Sequence, residues 1–419
     1  MKERPQTADG RPPEMKVMPF NPLAPEVLAD PYPHYRRLRS HDPVHWGVSG
    51  DPNFAGCWYI TRYDDVVSIL KDQRFGREIW RVLPELFPPA PAAQQPIAEM
   101  SWYWMVLRDP PAHTRLRSLV HRVFTPRMIE RLTPRIAQIV DRLLDDVQDK
   151  GGMDIKADFA FLLPVIVIAE MLGVPPEDCN LFIPWSKALA AVIEFKQSDE
   201  VQTQGSQAIL ALNDYLRSII AERRKRPRED LISALLAVEE EGQKPTEAEL
   251  LGTCTQLLFG GNEPVADLIG NGLLALLRHP DQLDKLRNNP ELAETAVDEL
   301  ARYDSSVQMT FRYVLGEVTF GGKTMRQGEP VAIVFGAANR DPAQFPNPDQ
   351  LDLARTPNRL ASYGFGIHYC LGAAMARAEG RIAFNILLRR FPNLTLQTDT
   401  LTWNETVAVR GLKTLPVSF

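Results

Sequence analysis

Tyr363-Gly364-Phe365-Gly366-Ile367-His368-Tyr369-Cys370-Leu371-Gly372 sets one cysteine in a glycine-punctuated loop. Directly after it runs Ala373-Ala374-Met375-Ala376-Arg377-Ala378-Glu379, a series of good helix formers. Glycine admits backbone turns that residues bearing a Cβ resist. Amides near a helix N-terminus stabilise a thiolate and lower a cysteine's pKa. The arrangement suits a sulfur that stays ionised and shielded as a metal ligand, and Cys370 is that candidate.

The rest of the chain is ordinary in bulk. Its 419 residues are 44% hydrophobic and 24% charged, as expected of a soluble globular protein. A formal charge of −6 gives no reason to expect nucleic acid or an anionic membrane as partner. Cys57, Cys179, Cys254 and Cys370 are scattered and form no CxxC pair. That argues against a disulfide framework or zinc site and fits a reducing, cytoplasmic setting. Met1 to Met15 is polar and proline-bearing, without the apolar core of a signal peptide. The most apolar stretch, Ala160 to Val174, contains Pro164 and Glu170 and is too short to span a bilayer.

Apolar residues three and four apart predict helices over 128–149, 206–224, 229–240, 247–278, 282–303 and 372–390. Strand-like patches are fewer: Cys57 to Ile60, Val314 to Phe320, Pro330 to Phe335, and the tail after Leu401. No internal repeat or long linker divides the chain. The expectation is a flexible tail over 1–18 and one large domain over 19–419, mainly α with small β-sheets (α+β). The basic run Arg223-Arg224-Lys225-Arg226-Pro227-Arg228 lies between two amphipathic helices, beside Glu229 and Asp230, and reads as a solvated helix end.

The cysteine run closely resembles the haem-ligand signature of the cytochrome P450 family: an aromatic residue, Gly-x-Gly-x-His-x-Cys-x-Gly, then Ala-Arg on the next helix. The resemblance covers nearly the whole chain from about residue 20. It implies the cytochrome P450 fold, haem b (iron protoporphyrin IX) as cofactor, and Cys370 as the axial thiolate in a loop that includes Tyr363 and Gly364. Thiolate donation favours O–O cleavage. The family usually has Phe where this chain has Tyr363, and a phenol there could hydrogen-bond near the sulfur and alter its donor strength.

Further features match the family in order. Glu299-Leu300-Ala301-Arg302 places an acid and an arginine three apart on one helix face. The resemblance joins them to Arg355 as a structural brace. In Asp109-Pro110-Pro111-Ala112-His113-Thr114-Arg115-Leu116-Arg117, His113 and Arg117 lie four apart, also on one face. Arg binds carboxylates bidentately. The resemblance implies that His113, Arg117, Arg312 and His368 hold the haem propionates. Ala338-Asn339-Arg340-Asp341-Pro342 resembles the family's turn after its last core strand, a structural feature.

Leu257-Leu258-Phe259-Gly260-Gly261-Asn262-Glu263-Pro264 matches the family's oxygen-binding helix, which usually reads small-Gly-x-acid-Thr. Gly260, Gly261 and Glu263 fit that pattern: small residues leave room for O2, and the acid–threonine pair relays protons. The threonine is replaced by Pro264. An interior proline lacks the N–H that the Gly260 carbonyl would accept, and its ring pushes Glu263 away from helical geometry. Such a break costs roughly 3 kcal/mol in an ordinary helix. The expectation is that the Gly260 carbonyl, Asn262 and Glu263 order a water that replaces the hydroxyl, or that the substrate supplies one.

An apolar roof runs through Ile79 to Phe87 and Met100 to Met105, with Trp80, Trp102 and Trp104. Ile183 to Phe195, Leu257, Phe259, Val307 to Phe311 (including Met309) and Val407 are the other expected linings. Such aromatic density suits a bulky apolar or aromatic substrate of secondary metabolism: polyketide, terpenoid, peptide-derived or steroid-like. No flavin or nicotinamide fingerprint follows a strand. A separate ferredoxin or flavodoxin with its reductase is therefore expected, docking near Arg115, Arg122 and Arg377. The expected activity is that of a soluble, monomeric, bacterial-type monooxygenase that inserts one atom of O2 by hydroxylation or epoxidation. Pro264 keeps open oxidative coupling, desaturation, dehydration or peroxide-driven oxidation, and a non-catalytic haem sensor is the remaining alternative.

Overall fold

The computed structural model describes residues 20–51, 54–86, 89–192, 198–238 and 244–419. The expected tail over 1–18 lies outside them, as do Phe87 of the roof and Phe195 of the lining.

A five-stranded sheet joins strands from residues 44–76 to strands from residues 309–334. Its members are β1 (Val44–Gly47), β2 (Cys57–Ile60), β3 (Phe75–Gly76), β5 (Met309–Val314) and β8 (Pro330–Val334). Strand β4 (Gly152–Asp154) belongs to a separate sheet, and β6 (Val318–Phe320) pairs with β7 (Lys323–Met325). The large sheet is ordered β1-β2-β8-β5-β3, with β2 and β8 parallel through Tyr59↔Ala332. Every residue of β2 and β8 is buried, so these strands are continuous apolar runs rather than alternating ones. Strands β9 (Thr395–Leu396) and β10 (Pro416–Ser418) close the chain against β4.

Helices make up most of the rest. The first are α1 (Pro25–Ala29), α2 (Tyr32–His41), α3 (Tyr63–Lys71), α4 (Gln95–Ser101) and α5 (Ala112–Val123). Next come α6 (Pro126–Asp145), α7 (Leu162–Met171), α8 (Cys179–Ala191), α9 (Asp199–Lys225) and α10 (Leu231–Ala237). The last are α11 (Glu247–Arg278), α12 (Pro280–Asn288), α13 (Ala293–Tyr303), α14 (Phe335–Ala338) and α15 (Ala373–Arg390). Helix α7 is apolar on nearly all sides and is correspondingly buried on nearly all sides. Among the described residues no helix is long and apolar enough to cross a membrane.

Helix α11 is the axis of the molecule. Thr246 caps it by accepting from the Glu249 amide, while the Glu249 carboxylate accepts from the Thr246 amide. Its bounds are those the periodicity predicts. It also runs unbroken through Pro264, which corrects the expected break. Proline's missing N–H still leaves the Gly260 carbonyl without its helical donor.

Other boundaries shift for local reasons. The predicted 282–303 helix divides at Asn289 and Pro290 into α12 and α13. The predicted Val314–Phe320 strand is two strands, with β5 starting at Met309. The basic run is not solvated at its start: Arg223 is buried, paired with Asp230 and donating to Gly173 O.

Candidate active site

The cysteine loop is built by backbone. Gly364 and Gly366 have φ of 69° and 70°, the left-handed region that glycine enters freely. A Cβ at Gly366 would come within 2.6 Å of Leu70 O. The Cys370 amide donates to Tyr363 O at 2.8 Å, closing the loop just before α15. Burial pushes the Cys370 thiol up, while the Gly372 amide and the Arg117 and Arg377 charges pull it down. Desolvation therefore outweighs the helix terminus that was expected to ionise the sulfur. A coordinated metal cation deprotonates such a thiol outright. The Tyr363 hydroxyl is buried and finds no partner among the described residues, and Arg377 stacks 4.3 Å from its ring. The phenol is not hydrogen-bonded near the sulfur.

Around the loop stands an unmatched set of cation-forming side chains. His113 on α5 packs its ring 4.2 Å from that of His368. Both ring nitrogens of His113 and Nε2 of His368 are buried without a partner among the described residues. Arg312 on β5 is buried and donates to Phe311 O at 2.8 Å. Arg77, just after β3, donates to Thr310 Oγ1 at 2.8 Å and leaves its Nε orphaned. Arg117 donates to Tyr369 O at 2.7 Å. Burial, then Arg117, lowers His113 to about 4. Burial, then Arg312 and Arg77, lowers His368 further. Burial and then Arg77 pull Arg312 well below its ordinary value.

Asp109, the carboxylate whose charge opposes these shifts at His113 and Arg312, is already occupied by the Arg77 and Glu78 amides. Orphaned buried donors around a convergence of positive charge call for an anion. The two propionates of haem fit that demand, and a thiolate-capable cysteine fits its iron. Arg77 was not expected from the sequence. Its partners lie far along the chain, 233 residues away in the case of Thr310, so no local pattern marks it.

Behind the loop, the expected brace is assembled. Arg302 donates twice to Glu299, at 2.7 and 2.8 Å, and Arg355 Nε lies 3.1 Å from both of its oxygens. Arg302 also ties down the carbonyls of Asn339 and Pro348.

The long-helix side diverges from expectation at several points. A Cβ at Gly260 would meet open space, but one at Gly261 would come within 2.7 Å of Ile168. Only Gly260 provides room; Gly261 provides close packing against α7. Asn262 is buried and donates to Ser186 Oγ on α8 at 2.8 Å, while its Oδ1 has no hydrogen-bond partner among the described residues. Glu263 is 3.7 Å from the ammonium of Lys156, a partner the sequence did not suggest.

The roof is likewise divided. Trp80 and Trp102 pack at 5.6 Å and line a cavity of about 640 Å³ with Pro89, Ala98 and Leu107. Trp104 is buried, stacked on Phe259 at 4.8 Å and bonded to Thr255 Oγ1 at 3.0 Å, which fastens the roof to α11. Leu257 packs at the edge of the main core. Met309 faces the core of the sheet with Phe20 and Tyr35, and Val407 packs against that cluster. Met309 is a packing residue, on the core-facing side of β5. Val307 bridges to Val409.

The arginines expected to meet a redox partner are already engaged. Arg115 pairs with Glu249, and Arg377 with Asp298 at 2.7 Å. The surface over Cys370 is a cavity of about 480 Å³ whose lining includes Arg117, His121, Ile367, Tyr369 and Arg377. Ile367 and Tyr369 are both exposed there.

A half-buried cysteine on a glycine loop, beside buried ring and guanidinium nitrogens without partners among the described residues, fits a haem-thiolate site. Residues 184–416 match the model of the family described as Cytochrome P450. The polyketide biosynthesis cytochrome P450 PksS of Bacillus subtilis (strain 168) is 40% identical over 408 residues, 96% of this chain and 99% of that one. The vitamin D(3) 25-hydroxylase of Pseudonocardia autotrophica is 40% identical over 394 residues, 93% and 94% of the two chains. A crystal structure of P450BioI, in complex with an acyl carrier protein ligated to hexadec-9Z-enoic acid, superposes with a TM-score of 0.85. It is 40% identical, covering 94% of this chain and 99% of that one. The chain belongs to the cytochrome P450 family and is a haem b monooxygenase.

Proposed function

We infer that this enzyme hydroxylates or epoxidises a bulky, apolar substrate of secondary metabolism, using electrons from a separate ferredoxin or flavodoxin system. The observation that carries the substrate class is the apolar cavity between Trp80 and Trp102, large enough for a multi-ring or long-chain molecule. Relatives support the class: one is named for polyketide biosynthesis and one as a vitamin D(3) hydroxylase. Two solved neighbours are complexes with testosterone and with myristic acid.

The geometry supports the following roles. When bound, haem ligated by thiolate activates O2 so that one oxygen atom enters the substrate. Cys370 supplies the sulfur ligand. Arg77, His113, Arg117, Arg312 and His368 neutralise and orient the propionates. On the opposite face, the missing side chain of Gly260 leaves space for O2 and substrate. The Gly260 carbonyl, lacking its helical donor at Pro264, accepts from water or from a substrate hydroxyl. Glu263 hands on protons, drawing them from the cavity it lines with Lys156, Asn404 and Thr406. Exposed Ile367 and Tyr369, beside Arg117, offer an apolar and cationic surface for the electron donor.

Labelled oxygen tests this directly. With 18O2, a ferredoxin and its reductase, a lipophilic substrate should gain one labelled atom. Absence of label from all products would overturn monooxygenation. Pro264 favours a second reading, peroxide-driven oxidation or a coupling reaction, because it removes the family's hydroxyl from the proton path. Turnover with hydrogen peroxide and no redox partner would select it.

A further inference from the structure

Lys156 sits on the π-helical turn Ile155–Ala160 and reaches across to α11. There its ammonium meets Asp267 Oδ1 and lies 3.7 Å from Glu263 Oε1. The two carboxylates are four residues apart, hence on one face, and share a single cation. Their surroundings differ sharply. Asp267 is fully buried, and its Oδ2 has no hydrogen-bond partner among the described residues. Gly411 lies so close that a Cβ there would overlap the Asp267 carboxylate. Glu263 instead lines a cavity of about 260 Å³ with Lys156, Lys187, Asn404, Thr406 and Lys413. The polar half of its lining suits water.

We propose that Asp267 is a positioning residue for oxygen activation, acting through Lys156 to set how firmly Glu263 is held between that cavity and the O2 site. The proposal rests on the assignment of proton delivery to Glu263. An ammonium seated on Asp267 gives Glu263 only the longer half of the ion pair, and its side chain can turn. Once Asp267 is protonated, the ammonium belongs to Glu263 alone and holds it.

The electrostatics support such a switch. Burial pushes the Asp267 carboxyl up to about 7, against the pull of Lys156, and the negative charges of Glu263 and Asp304 add to the rise. Burial lowers Lys156, but Asp267 and Glu263 outweigh it and keep the ammonium charged. Asp304, at the end of α13, is occupied by Arg410 at 3.1 Å, and Arg410 is further bound to the Leu28 and Ala29 carbonyls. Asp267 is thus the member of the cluster whose charge changes near neutrality. Proton movement is balanced: Glu263 gives one proton toward the O2 site and regains one from cavity water.

The test uses the haem-loaded enzyme and its Asp267→Asn, Lys156→Gln and Glu263→Gln variants between about pH 6 and about pH 8. Three quantities are followed: product formed per reductant consumed, the solvent deuterium isotope effect, and the melting temperature. The protonated fraction of a group titrating near 7 falls about tenfold over that range. Wild-type coupling should therefore rise several-fold with pH. Asp267→Asn should stay at the acid-side value and Lys156→Gln at the alkaline-side value, each within about twofold.

Melting gives a readout independent of turnover. A carboxyl raised by folding stabilises fully below its ordinary value, and that stability is lost as pH rises through about 7. Asp267→Asn should remove this slope. If Glu263→Gln slows delivery but Asp267→Asn keeps the wild-type pH profiles, the positioning role is overturned and the Glu263 assignment stands. If Glu263→Gln couples as wild type with an unchanged isotope effect, the assignment itself fails and the proposal falls with it.

Discussion

The two faces of the haem site are built on different principles. On the cysteine face, every group answers one demand: Cys370 suits iron, and Arg77, His113, Arg312 and His368 suit carboxylates, with orphaned nitrogens on Arg77 and both histidines. On the α11 face, no single demand is met. Pro264 removes a hydroxyl, Asn262 turns to Ser186, and Glu263 shares Lys156 with a second acid. The contrast indicates that the cysteine loop itself is fixed by local sequence, whereas the basic set around it and the Glu263–Lys156–Asp267 cluster are assembled from segments far apart in the chain.

The largest expected effect breaks the first face. Cys370→Ser should abolish the thiolate spectrum and lower product formation by at least about a thousandfold, since O–O cleavage relies on sulfur donation. A variant retaining near-wild-type turnover would mean another ligand serves. Next, His113→Leu or Arg312→Leu removes a charge-assisted bond to a propionate, worth roughly 1.5–3 kcal/mol. Haem transfer to apomyoglobin should then quicken about tenfold to a hundredfold.

Pro264→Thr sharpens the second face. Restoring a hydroxyl and an N–H should raise coupling a few-fold if delivery limits the native enzyme, with haem absorbance unchanged. Equal coupling would show that the Glu263 route already suffices. The smallest effect is on stability. Glu379 on α15 is buried with Oε2 unpartnered among the described residues, and burial raises its carboxyl to about 8. The folded state favours the protonated form, so its stabilising contribution is complete below about 4.5 and is lost as pH rises through about 8. Glu379→Gln should raise the melting temperature by a few degrees at about pH 9 and leave it unchanged at about pH 4.

What could be read in advance follows the same division. The glycine loop, the bounds of α11 and the Glu299–Arg302 pair are local patterns, and all three appear in the structure. Helices α1, α2, α3 and α5 carried too short or too polar an apolar stripe to stand out. Lys156 and Asp267 are 111 residues apart, and only the fold joins them. Met309 was expected to line the substrate pocket with its neighbours in 307–311. The alternation of β5 and the Phe20–Tyr35 cluster place it in the core instead.

The central claim is that Cys370 binds iron as a thiolate, despite a burial that by itself favours the thiol. The reduced protein should be exposed to carbon monoxide and its visible spectrum recorded. A strongly red-shifted Soret band, lost in Cys370→Ser, is the result predicted. An unshifted band in the wild-type protein, as given by a neutral axial ligand, would contradict the account.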